Sequence, residues 1–162
     1  MATKRMLFLA GVVLALALVV PTAAPAASFP GVTVIGENEQ HLATFKTAKC
    51  TKTKHFFHAE AFSTDGQYEL DAYIRQFSGF HKYNVTLGSQ DPAIVFQSKH
   101  PGPTFSNEFK PPYPVPGFGR IKFSPNGRRV GIGFGPAMWS DDSSTAVVLA
   151  GGLECRYPTK KR

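Results

Sequence analysis

The chain has 162 residues, with 18 Lys plus Arg against 11 Asp plus Glu and a formal net charge of +7. That balance favours adhesion to anionic surfaces and says nothing of fold. Aromatic and basic residues are not interleaved in a nucleic-acid pattern, and no Gly-rich phosphate loop, Gly-x-Ser-x-Gly or Cys-His motif occurs, so neither a nucleic-acid partner nor a cofactor is expected.

In chain order, Lys4 and Arg5 precede MLFLAGVVLALALVV, an apolar block of fifteen residues. This is shorter than the ~20 residues that span a bilayer. Ala24-Pro25-Ala26 then fits a signal-peptidase site. The reading is a cleaved secretory signal over 1–27 with a bacterial look, no transmembrane anchor after cleavage, and a secreted (extracellular or periplasmic) product. Without Lys4 and Arg5 the mature chain has 16 basic residues against 11 acidic ones, a charge of +5. About 135 residues remain, enough for one domain with a real core, expected over 28–157 and followed by a basic tail, 158–162.

Strand signatures dominate that domain. Short runs rich in β-branched and aromatic residues recur: GVTVIG from Gly31, HFFHAEAFS from His55, QYELDAYIRQF from Gln67, YNVTL from Tyr83, AIVFQS from Ala93, RIKFS from Arg120, RRVGIGF from Arg128 and TAVVLAGGLECRY from Thr145. Gly, Pro, Asp or Ser bound them, and no stretch past Val20 runs ten residues at helical period without a breaker. The expectation is all-β: a single-domain antiparallel β-sandwich or barrel of about eight strands, with little helix. Cys50 and Cys155 are the only cysteines and are expected to form one disulfide, tying an early strand to the last.

FSTDGQ at Phe62 and FSPNGR at Phe123 repeat one pattern 61 residues apart. FSPNGRRV resembles the blade turn of secreted β-propellers, but four blades of ~40 residues exceed this chain. Both copies are therefore read as hairpin turns. A turn at Asp65-Gly66 makes partners of residues whose numbers sum to 131. Ala61 then faces Leu70, Ala59 faces Ala72 and Phe57 faces Ile74, an apolar face throughout. A four-residue loop keeps the faces and changes the register, so the pattern fixes the first and not the second.

The other face of this hairpin collects His58, Glu60, Glu69, Asp71 and Tyr73. Three carboxylates and a histidine within strand spacing are the candidate catalytic residues, for a divalent cation or for a carboxylate dyad of glycoside hydrolysis. The simpler reading is a solvated face neutralised by Arg75 and a neighbouring lysine strand, and it is preferred. His55 and His58 are three apart on a strand and point to opposite faces, which disfavours joint metal binding; no metal site is assigned. His41, His81 and His100 are expected in solvent near turns.

Gly131-Ile132-Gly133-Phe134-Gly135 reads as a strand whose glycine face lies close to another backbone or ring. Asn84-Val85-Thr86 has the form of a glycosylation acceptor but lies in an expected strand. Trp139 is read as a plug at the end of the sandwich rather than a sugar platform. From His100 to Gly119 there are six prolines, four aromatics and three glycines. This stretch is expected to be an ordered excursion along a sheet edge, without secondary structure, with Phe105, Phe109 and Phe118 held in the core and Tyr113 left exposed. Phe109, Tyr113, Phe118 and Trp139 are the candidate binding residues.

Three functions remain in view. The first is a non-catalytic binding or interaction domain, with an anionic envelope polymer or another protein as partner. The second is a small hydrolase or cation-dependent enzyme on the carboxylate hairpin, and the third a structural envelope component.

Overall fold

The computed structural model describes residues 31–109 and 117–159. The leader, Tyr113 and the last three residues of the basic tail lie outside the described residues. Eleven strands occur: β1 (Val32–Gly36), β2 (His41–Phe45), β3 (Thr47–Lys52), β4 (Phe57–Phe62), β5 (Tyr68–Ile74), β6 (Lys82–Thr86), β7 (Ala93–Ser98), β8 (Thr104–Ser106), β9 (Phe118–Phe123), β10 (Arg129–Ser140) and β11 (Ala146–Arg156). Among the described residues the only helical turn is a 3-10 turn at Glu37–Glu39.

The strands form one sheet that closes on itself. Six strands run β6-β9-β10-β11-β1-β2 and five run β3-β4-β5-β7-β8. The long β10 and β11 belong to both groups. The end of β10 pairs with β8 at Trp139↔Ser106, and the end of β11 pairs with β3 at Cys155↔Ala48. The circuit β11-β3-β4-β5-β7-β8-β10 is thereby closed, which is how a sheet removes exposed edges. Among the described residues only β2 and β6 end the sheet.

Two local features let β10 and β11 change partners. The β10 ladder shifts between Phe134 and Met138, where Pro136 cannot donate a ladder hydrogen bond. On β11, Gly151 has φ +141, and the Gly31 carbonyl oxygen occupies the place its Cβ would take. Only glycine allows that approach, at the point where β11 leaves β1 for β3.

The interior is filled from both groups of strands. Phe45 meets Phe96 edge-on at 6.2 Å, and Phe57 meets Phe123 at 4.6 Å. Alternation places these side chains: β9 alternates exposed and buried residues along its whole length, with Ile121 and Phe123 inside.

The all-β class and the Cys50–Cys155 disulfide agree with expectation, the Cα atoms of the two cysteines being 5.3 Å apart; of the two architectures expected, the strands take the barrel, one closed sheet, and not a sandwich of two. The strand count is eleven rather than eight, because β2, β3 and β8 had not been recognised as separate strands. The sheet is also not wholly antiparallel, since β3 and β11 pair in parallel. The expected edge excursion is corrected as well. Within it β8 pairs on both sides, with β7 and β10, and so closes the barrel. Three residues suffice because each neighbour supplies the rest of its own ladder. The first hairpin takes the register in which residue numbers sum to 131, as in Phe57↔Ile74 and Glu60↔Asp71.

Three hairpins share one turn design. In each, a serine hydroxyl donates to an Asp or Asn two residues on and accepts an amide five residues on. The bonds are Ser63 Oγ to Asp65 at 2.5 Å and Tyr68 N to Ser63 Oγ at 2.9 Å. Ser124 makes the same pair with Asn126 and Arg129 at 2.8 and 3.0 Å. Ser140 repeats it with Asp142 and Thr145 at 2.6 and 3.1 Å. The fourth residue of each turn is left-handed: Gly66, Gly127 and, in the third copy, Ser143 at φ 58.

Candidate functional site

The outer face of β4 and β5 brings the expected residues together, but as separate pairs. Asp71 is 5% exposed although it points away from the core. Its Oδ1 lies 2.6 Å from His58 Nε2, and the imidazole stacks on Tyr73 with ring centroids 4.4 Å apart. Burial, and then the Asp71 charge, raise the Tyr73 hydroxyl pKa above its ordinary value. Glu60 is held by Lys49 of β3 at 3.6 Å, and Glu69 accepts from Gln97 of β7 at 3.3 Å. Lys49 supplies the neighbouring lysine strand, and the backbone amide of Arg75 donates to Asp91. No described serine, threonine or cysteine hydrogen-bonds His58, and no cluster of three or more His, Cys, Asp or Glu suited to a metal ion occurs among the described residues. The chemistry on this face is a carboxylate that fixes one imidazole.

The candidate binding rings separate too. Trp139 is 9% exposed, at the corner between β8 and β11. Phe105 is buried and Phe109 half-buried. Phe118, expected in the core, is instead 61% exposed, because it is the first residue of β9 on the strand's outward phase.

Phe118 belongs to a face the sequence had not indicated. Across the outside of β6, β9 and β10, Lys82 stands opposite Lys122, Asn84 opposite Arg120 and Thr86 opposite Phe118. The next strand presents Gly131, Gly133 and Gly135 in those rows. A Cβ on Gly133 or Gly135 would meet nothing closer than 3.7 Å. The expected close cover over this glycine face is therefore absent among the described residues. Exposed Val148 and Ile35, paired across β11 and β1, continue the apolar end. Phe118, Arg120, Gly133, Gly135 and Val148 line a depression of about 360 Å³. Lys82, Arg120 and Lys122 are exposed, and none makes an ion pair with a described residue. The one acid on β11, Glu154, stands across from Arg129. Two lysines about 5 Å apart at Cβ repel unless an anion lies between them.

A second concavity opens at one end of the barrel, among the β1–β2, β7–β8 and β10–β11 connections. It measures about 510 Å³, within the range of ligand sites at barrel mouths. Tyr68, Phe96 and Phe105 line it as a ladder of rings, 5.2 and 5.7 Å between successive centroids.

Comparison with protein-family models, with curated proteins and with solved structures finds no match for this chain.

Proposed function

We propose that this protein is an exported, non-catalytic binding domain that holds an anionic cell-envelope polymer on its β6–β9–β10 face. The leader over 1–27 supports export, and a disulfide suits an oxidising compartment. The observation that carries the reading is the cationic trio of Lys82, Arg120 and Lys122, which makes no ion pair with a described residue, beside a glycine track that no described residue covers. The opposed lysines cost the free protein stability that a bound anion returns. The glycines let an extended chain approach the backbone, and exposed Phe118 offers a flat apolar surface to a sugar ring or polyol chain.

The test is co-sedimentation with polyglycerol phosphate, with neutral dextran as control, at low and raised salt. The wild type binds the phosphate polymer, releases it as salt rises and ignores dextran. Replacing Lys82, Arg120 and Lys122 together by Ala weakens binding about tenfold or more. Removing residues 158–162 leaves most of the binding in place. Equal binding by the triple variant, or loss of binding with the tail alone, defeats the proposal.

A further inference from the structure

The barrel-end cavity has an electrostatic character opposite to that of the chain. The sequence carries +7, yet no lysine or arginine lines this cavity among the described residues. Glu37 does line it, at the 3-10 turn between β1 and β2. Its Oε1 accepts the Ala146 amide at 3.1 Å, which ties the carboxylate to the start of β11 and leaves Oε2 without a described partner. A groove of about 570 Å³ adjoins the cavity through the shared residues Gly102, Pro103 and Thr145, and it adds Asp141 and Asp142. The three bonds to the Asp142 carboxylate, from Ser140 Oγ, Ser144 N and Ser144 Oγ, all fall on Oδ1. Oδ2 has no described partner. The same bonds hold Asp142 ionised, with its pKa down at about 2. Asp142 thus stays charged at any physiological pH.

The other end of the cavity is aromatic. Tyr68 stacks on Phe96 at 23° between planes, Phe105 follows, and Leu42 and Val147 complete the apolar wall. The Tyr68 hydroxyl has no hydrogen bond among the described residues. Ring faces attract cations, most strongly where water is excluded, and an apolar body gains by covering rings.

We infer that the barrel-end cavity is a binding site for a small organic cation, an amine or quaternary ammonium that carries a flat apolar group. The apolar group lies on Tyr68, which Phe96 backs from inside the core, and the cation faces Glu37 and the Asp141–Asp142 turn. This site is separate from the β6–β9–β10 face, so either can fail without the other.

The experiment titrates the intact mature protein with three probes of one shape: 2-phenylethylamine, 2-phenylethanol and 3-phenylpropionate. Isothermal titration gives affinities, and NMR shifts of the Tyr68 and Phe96 rings report the place. The amine binds about tenfold more tightly than the alcohol, and the carboxylate binds least. Glu37→Gln keeps an oxygen for the Ala146 amide and removes the charge; with Asp141→Asn and Asp142→Asn, the latter an amide such as Asn126 places in the equivalent turn, it brings the amine down to the level of the alcohol while the protein stays folded. Tyr68→Leu weakens amine and alcohol alike. The inference is overturned if the amine does not bind, if the carboxylate binds as well as the amine, or if the triple variant without the three charges keeps the amine's advantage.

Discussion

The side-chain oxygen of Asn107 accepts the backbone amide of Ile94 at 2.6 Å, in the fully buried space where β7 begins and β8 ends. The Asn107 Nδ2 faces the carbonyls of Ser89, Thr86 and Pro92 at 2.8, 3.1 and 3.2 Å. One amide therefore satisfies backbone groups that no strand reaches. Asn107→Ala leaves the buried Ile94 amide without its side-chain acceptor and takes the donor from the half-buried Ser89 and Pro92 carbonyls, while the Thr86 carbonyl keeps the Ser89 amide, at about 1–3 kcal/mol for each group left unpaired. The expected loss in urea denaturation is at least about 3 kcal/mol. Asn107→Asp keeps the acceptor and removes the donor, so it too is strongly destabilised. A loss below about 1 kcal/mol for the alanine variant would show that water replaces the amide.

The three serine turns differ at their left-handed position. Gly66 and Gly127 adopt it freely, whereas Ser143 does so at φ 58 with a Cβ that disfavours it. Ser143→Gly is expected to stabilise the protein by about 0.5–1 kcal/mol, relief of strain exceeding the added flexibility of the unfolded chain. Gly127→Ala does the reverse and by more, because its Cβ would fall inside the Phe80 ring. Denaturation of both variants checks the pair, and opposite signs are required.

Acid should loosen the same turns in a defined window. Ser140 first, then Ser144, hold the Asp142 pKa at about 2 against an ordinary value of 3.8, and Ser63 likewise lowers Asp65. A carboxyl whose folded pKa is depressed adds stability that is complete above its unfolded value and is lost as pH falls through the folded one. For Asp142 that loss runs from about pH 4 down to about pH 2. Asn126 fills the equivalent place with an amide that does not titrate. Asp142→Asn should therefore reduce the slope of melting temperature against pH within this window while leaving the curve above pH 5 nearly parallel to wild type. An unchanged acid slope would remove Asp142 from the explanation.

The legible parts of this fold are those written in local alternation. Phe57, Ala59 and Ala61 face Ile74, Ala72 and Leu70 as their spacing required, and seven residues of β5 could be placed from the sequence. The third serine turn escaped notice because Ser143 stands where the other two have glycine. β8 escaped because Thr104–Ser106 lies between prolines and glycines and is a strand only by virtue of β7 and β10 on either side. The cationic face was half visible: Phe118, Arg120 and Lys122 alternate outward along one strand. Its other half is Lys82, forty residues earlier, and nothing local says that β6 lies beside β9. The carboxylate hairpin shows the opposite outcome. Its members were correctly placed on one face, yet Lys49 and Gln97 from flanking strands divide them into pairs.

The Cys50–Cys155 bridge joins residues 105 apart at the parallel seam where β11 and β3 share three residue pairs, Glu154 to Arg156 with Thr47 to Lys49. So short a ladder holds little by itself, and the circuit through β11 and β3 is where the barrel would open. Closing a loop of ~100 residues restricts the unfolded chain by about 4.7 kcal/mol in the chain-entropy account. The Cys50→Ala, Cys155→Ala double variant should lose most of that in chemical denaturation. Amides of residues 154–156 should exchange faster than those of β4 and β5, since the seam opens before the rest. If the variant loses under about 1 kcal/mol and the seam amides keep their protection, the parallel pairing closes the barrel without the bridge.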